Sequence, residues 1–191
     1  MNKFFTISTL VASLLFMGCS KTTAFDFFST DVYYEKAVSN MQKVSLMSNM
    51  ETKALLHAVY LNNVDPDVYY DGEYFFVAVH IIEDPVEKSK RGLNNPEYSL
   101  TIQEKKVMQE KEFFEAEDAS APKNGQSFNY VQATEVIELH DDHELRLSMP
   151  IRNQWNSYYI VKYESSSDSK LILSFESDRY GQALLTFLKA E

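Results

Sequence analysis

The sequence predicts a mainly β chain folded as an antiparallel sandwich or barrel. Three observations carry that expectation. From about residue 42 onward, apolar residues recur at every second position in short runs. Turn-forming clusters separate the runs, and no helix recurs between them, which argues against a parallel βαβ architecture. The chain has 191 residues, 45% hydrophobic and 24% charged, with five glycines and five prolines. That is the composition of one globular domain, not of a disordered or collagen-like chain.

Element by element, Tyr34, Ala37, Val38 and Met41 fall at i, i+3, i+4 and i+7, so the spacing predicts a helix of about ten residues within Thr30–Met41. Ser29, Thr30 or Asp31 can cap its start. The period then changes to two. Lys43–Met47 and Lys53–Asn62 are the first strands, and Tyr74–Glu83 follows, with Phe75, Val77, Val79 and Ile81 on one face of a half-buried sheet. Tyr98–Gln103, one or two strands within Phe128–Leu139, and Glu144–Met149 come next. Tyr158–Glu164, Lys170–Glu176 and Ala183–Lys189 complete a set of eight to ten strands. Breaks fall at Asn62-Asn63, Asp65-Pro66-Asp67, Asp71-Gly72, Asn94-Asn95-Pro96, Pro122–Gly125, Asp141-Asp142, Ser165–Ser169 and Asp178–Gly181. The charged run Gln103–Asp118 reads as a helix or a long hairpin. A body of this size buries enough surface to fold without a disulfide or a metal.

Charge and motifs exclude several function classes. The net charge is −10, so no basic face for nucleic acid is expected. The single cysteine excludes a disulfide framework and any multi-cysteine metal site. No GxSxG elbow, GxxxxGK[ST] loop or GxGxxG fingerprint occurs. The expectation is a protein that is not an enzyme and carries no cofactor.

The N-terminus reads MNKFFTISTLVASLLFMGC. Lys3 gives a positive start, and the apolar run Phe4–Met17 is too short for a membrane-spanning helix but suits a secretory signal. A small residue and then cysteine, Gly18-Cys19, close the run. This resembles the lipobox of bacterial lipoproteins. The resemblance implies cleavage before Cys19, a diacylglycerol on its sulfur and an acyl chain such as palmitate on its amine. The expected organisation is a signal peptide over 1–18, a lipid anchor and tether over 19–29, and one domain with an N-terminal helix over 30–191. Several acyl chains make a strong anchor, whereas an acidic body is repelled by anionic lipid. The lipid is thus the expected membrane contact, and Ser20 in place of an inner-membrane retention aspartate points to the outer membrane.

Further along, Glu51–Asp65 (ETKALLHAVYLNNVD), Gly72–Val79 (GEYFFVAV), Gly92–Tyr98 (GLNNPEY) and Tyr180-Gly181 resemble small uncharacterised lipoproteins of epsilonproteobacteria. The resemblance implies an immunoglobulin-like β-sandwich, lipid-anchored and facing the periplasm or the cell exterior. It carries no catalytic residues. It implies an envelope or host protein as partner, in adhesion or envelope assembly.

Candidate contact and ligand residues follow from side-chain chemistry. Adjacent tyrosines in a strand point to opposite faces, so the pairs Tyr33-Tyr34, Tyr69-Tyr70 and Tyr158-Tyr159 each send one large, stiff ring away from the core. Tyr69, Tyr70, Tyr158 and Tyr159 are the candidate partner contacts. If Asp141-Asp142 is a two-residue hairpin, His140 and His143 form a cross-strand pair able to hold zinc or copper, with Glu144 nearby. Asp65, Asp67, Asp71 and Glu73 offer oxygen ligands for calcium in one loop, without the EF-hand spacing. His57 and His80, inside strands, read as packed or surface histidines. The alternative function is therefore a periplasmic metal- or ligand-binding module built on His140–His143 or on Asp65–Glu73.

Overall fold

A computed structural model of the chain describes residues 32–83, 85–105 and 128–190. The expected signal peptide, the Cys19 anchor, the tether and most of the run 103–118 lie outside the described residues. Helix α1 (Val32–Ser39) leads into β1 (Met41–Ser48) and β2 (Glu51–Tyr60). A single turn, α2 (Leu61–Val64), precedes β3 (Glu73–Ile81). Two 3₁₀ turns (Lys88–Lys90 and Gly92–Asn94) lead to β4 (Tyr98–Lys105). Then follow β5 (Phe128–Gln132), β6 (Glu135–Glu138), α3 (Glu144–Ser148), β7 (Ser157–Tyr163), β8 (Lys170–Ser177) and β9 (Gly181–Leu188).

The strands form two antiparallel sheets, in the orders β1-β2-β3-β7-β6 and β5-β4-β8-β9. The fold is mainly β, a two-sheet sandwich, as the alternation predicts. The two sheets bury one continuous core between them. Leu56, Tyr60, Phe75, Val77, Tyr159, Val161 and Tyr163 come from the first sheet; Leu100, Ile102, Leu173, Phe175, Leu185 and Phe187 come from the second. Phe75 and Phe187 meet at 5.2 Å between ring centroids, and Phe75 meets Tyr163 edge-on at 5.9 Å. On one side only Ala133 and Thr134 separate β5 from β6, so the chain steps from one sheet to the other there. On the other side β1 lies against β9.

At β3 the first sheet is buried on both faces, not on one. Phe75 to Val79 are all buried, because the face carrying Phe76, Ala78 and Tyr158 is roofed by a second apolar cluster. Ala37 of α1, Leu61 and Val64 of α2, Leu145 of α3, and Leu139, Met149 and Ile151 build that roof. The sandwich is thus three layers deep over part of its area.

Glu144–Met149 corrects the sequence expectation. It is not a strand. Leu145, Leu147 and Met149 fit a period of two, but Leu145 and Met149 also lie at i, i+4, and those are the two that are buried while Leu147 faces solvent. Burial against the roof decides for the helix.

Two details fix the strand ends. The β1–β2 hairpin turns on Asn49 (φ 52°) and Met50 (φ 65°), the left-handed pair that a two-residue turn with the twist of the flanking strands requires. At the end where β2 stops and β3 begins, the buried Glu73 carboxylate accepts three hydrogen bonds: from Tyr60 Oη (2.6 Å), from Ser166 N (2.9 Å) and from Lys189 Nζ (2.6 Å). This clamp ties the first sheet to the residue after β9. Asn63 reinforces it by donating to Asn40 Oδ1 (2.8 Å) and Leu188 O (2.8 Å) and accepting from Ala190 N (2.9 Å).

Candidate interaction surface

Strand β3 runs between two surface regions that carry the candidate side chains. One is the loop 65–72 before it; the other is the group of loops beyond its far end. Seven residue steps separate Glu73 from His80, a span of about 24 Å along an extended strand.

At the near end, the Asp65 carbonyl accepts from Val68 N (3.2 Å) and Tyr69 N (3.0 Å), which curls the loop back onto α2. Tyr69 turns inward, sets its ring at a tilt against Tyr74 with centroids 5.2 Å apart, and hydrogen-bonds to Tyr33 of α1. Burial, with Asp65 beside it, raises the Tyr69 phenol above its ordinary range. Tyr70 does the opposite and is 77% exposed. The acidic residues of this loop are committed elsewhere. Asp71 accepts from Tyr74 Oη and pairs with Lys162 at 3.0 Å, and these partners hold its carboxyl below the usual range. Glu73 points into the clamp. The Asp65–Glu73 carboxylates therefore do not converge on one point.

The pair Tyr158-Tyr159 requires a correction. Each residue is 1% exposed. Their rings do go to opposite faces of the sheet, but the outer face at that position is covered by the α3 roof. Tyr159 faces the inter-sheet core, with its hydroxyl donating to Arg91 O (3.2 Å) and accepting from Leu93 N (3.3 Å). Tyr158 exchanges bonds with Asn153, donating to its carbonyl (2.7 Å) and accepting from its N–H (2.6 Å). Neither offers a contact face.

The His140–His143 hairpin is also corrected. Residues 140–143 form a turn into α3. His143 Nδ1 caps that turn by accepting from Leu145 N at 3.2 Å, so this ring nitrogen is already used. Among the described residues no group of three or more His, Cys, Asp or Glu side chains is placed to hold a metal ion.

The turn contributes instead to a cleft of about 500 Å³, lined among others by Arg91, Glu138, His140, Asp141, Arg146 and Tyr158. Arg146 lies over the Tyr158 ring, 4.1 Å from its centroid, and pairs with the solvent-exposed Asp141. Stacking presets the guanidinium fork toward the cleft. The next loop presents the only tryptophan of the chain. Trp155 is 69% exposed, between the cleft-lining Gln154 and Asn156. Its backbone is held from both sides, with Trp155 N donating to Asn153 Oδ1 (2.8 Å) and Trp155 O 3.0 Å from His80 Nδ1. His80 is thus a surface residue that positions this loop. His57 is half-buried on β2, and its Nδ1 lacks a hydrogen-bond partner. Burial, and then the neighbouring Lys43 charge, lower its pKa.

Sequence reasoning passed over Trp155 and Arg146. The available signal was a lone tryptophan in the polar loop Arg152–Asn156, a setting where a core residue is out of place. No family model, curated protein or solved structure matches this chain. Among the described residues, no helix is long and apolar enough to cross a membrane.

Proposed function

We propose that the protein is a lipid-anchored lipoprotein of the bacterial cell envelope, attached through acylated Cys19, and that it works without catalysis as a protein-interaction module in adhesion or envelope assembly. The reading includes kinship with the immunoglobulin-like epsilonproteobacterial lipoproteins that its sequence resembles, and attachment at the outer membrane, facing the periplasm or the cell surface. One structural observation supports the interaction role: a mostly exposed tryptophan on a braced loop that borders the cleft holding a stacked arginine. Trp and Arg are the residue types that dominate binding energy at protein interfaces. Neither Trp155 nor Arg146 is placed by the packing requirements of the inter-sheet core.

The test is a crosslinking pull-down from solubilised envelopes with wild type, Trp155→Ala and Tyr70→Ala, alongside mass spectrometry of the mature N-terminus. The expected result is a partner recovered by wild type and by Tyr70→Ala and lost with Trp155→Ala. Equal recovery by all three removes Trp155 from the contact. An unmodified Cys19 removes the anchor. The cleft supports a second reading, a module for small ligands. A rise in melting temperature on adding short dicarboxylates, abolished by Arg146→Met, would favour it.

A further inference from the structure

We infer that the end of the sandwich built by α1 and the loop 65–72 is a docking face for a zwitterionic lipid surface, which turns the Trp155 end outward. The inference rests on the anchored reading above and names what the Tyr70 loop meets. Three observations lead to it. First, the segment that carries Cys19 joins the domain at Val32, the first residue of α1, thirteen residues after the cysteine. A fully extended chain of that length reaches about 45 Å, and it enters the domain at this end.

Second, this end shows apolar side chains that the core does not use. Val32 is 63% exposed, Val68 59% and Tyr70 77%. They flank the inward pair Tyr33 and Tyr69, whose mutual hydrogen bond fastens the loop to the helix. Lys36 adds a second fastening by donating to Val64 O at 3.4 Å. The exposed residues therefore sit on a surface of fixed shape. Valine with a tyrosine whose hydroxyl can stay among headgroups matches the acyl–headgroup boundary.

Third, the charges here select the lipid. Glu35, Asp65 and Asp67 outnumber Lys36 beside the patch, while Asp71 is paired with Lys162. Anionic headgroups would repel such a face, and zwitterionic ones would not.

The chain supplies its own reporters. Its lone cysteine can be coupled to a maleimide-bearing lipid, and its lone tryptophan lies at the opposite end of β3. The mature chain from Cys19 is tethered to phosphatidylcholine vesicles with brominated acyl chains, as wild type and as the double variant Tyr70→Trp, Trp155→Phe. The introduced indole should lose fluorescence by at least about twofold, and wild-type Trp155 should keep its intensity. Replacing half of the phosphatidylcholine by phosphatidylglycerol should reduce the quenching, as should adding Val68→Ser to the double variant. An unquenched indole at position 70 on chains that still sediment with vesicles overturns the proposal, as does quenching of Trp155 in its place. Chemical tethering makes this result independent of whether cells acylate Cys19. The mass of the native N-terminus decides that separately.

Discussion

Replacing Glu73 by methionine removes the acceptor on which Tyr60, Ser166 and Lys189 converge, while leaving a side chain of similar length. The three donors do not suffer equally. Tyr60 is a buried residue, so its hydroxyl loses its partner with no water to replace it, at about 1–3 kcal/mol. Ser166 N is partly buried and loses about 1 kcal/mol. The Lys189 side chain keeps 23% of its exposure and can turn to solvent, so it adds little. The expected loss is about 3 kcal/mol, at the lower edge of what breaking a buried ion pair costs. It should appear in urea titrations as a lower midpoint with an unchanged slope. In calorimetry it should lower Tm by about 6–12 °C. The decisive variant is Tyr60→Phe in both backgrounds. In wild type it should destabilise by about 1 kcal/mol; on Glu73→Met it should stabilise, because it deletes the orphaned hydroxyl. Burial and the Glu73 bond also raise the Tyr60 phenol far above its normal range, so its hydroxyl stays protonated across the neutral and mildly alkaline range. An identical effect of Tyr60→Phe in the two backgrounds would show that the clamp is not an energetic unit.

Other perturbations test separate parts of the fold. Met50→Gly should stabilise by about 0.5–1 kcal/mol in urea unfolding, because Met50 holds a positive φ with its side chain almost fully in solvent. Asn63→Ala should cost about 2 kcal/mol and raise hydrogen exchange at Ala190, because its amide joins Asn40 to Leu188 and Ala190. His57 has a folded-state pKa below its reference of 6.5, so the unfolded chain binds the extra proton and stability falls as pH drops below about 6.5. His57→Phe should flatten that decline between pH 6.5 and 5 in pH-dependent melts, with little change above pH 7. A decline of unchanged slope in the variant would assign it to other groups.

Much of the sandwich was legible because alternation in a strand directly records which face is buried. Tyr98–Gln103 and Lys170–Glu176 are read correctly for that reason. The run Tyr74–Val79 carried a further signal: a continuous apolar stretch means burial on both faces, and the α roof supplies the second. Leu145, Leu147 and Met149 fit two periods at once, and only tertiary packing chooses between them. The Asn49-Met50 turn was hidden because methionine stands where glycine ordinarily marks a left-handed position. The surface was harder to read. Strand alternation puts Tyr158 and Tyr159 on opposite faces, yet sequence alone does not say that a helix covers the outer one. The Glu73 clamp was invisible for a related reason: its partners lie 13 and 116 residues away.

That separation has a consequence for biogenesis. The lock on the first sheet is turned by Lys189, so a nascent chain that already holds β1 to β7 still has an open end. Until the last strand emerges, Glu73 sits among apolar neighbours without its cation, and the half-made sandwich gains little by closing. Synthesis at about 5–20 residues per second then leaves a window of a few seconds in which the polypeptide stays unlatched. A chain in that condition can still be pulled open, and it sets hard only when Lys189 reaches Glu73.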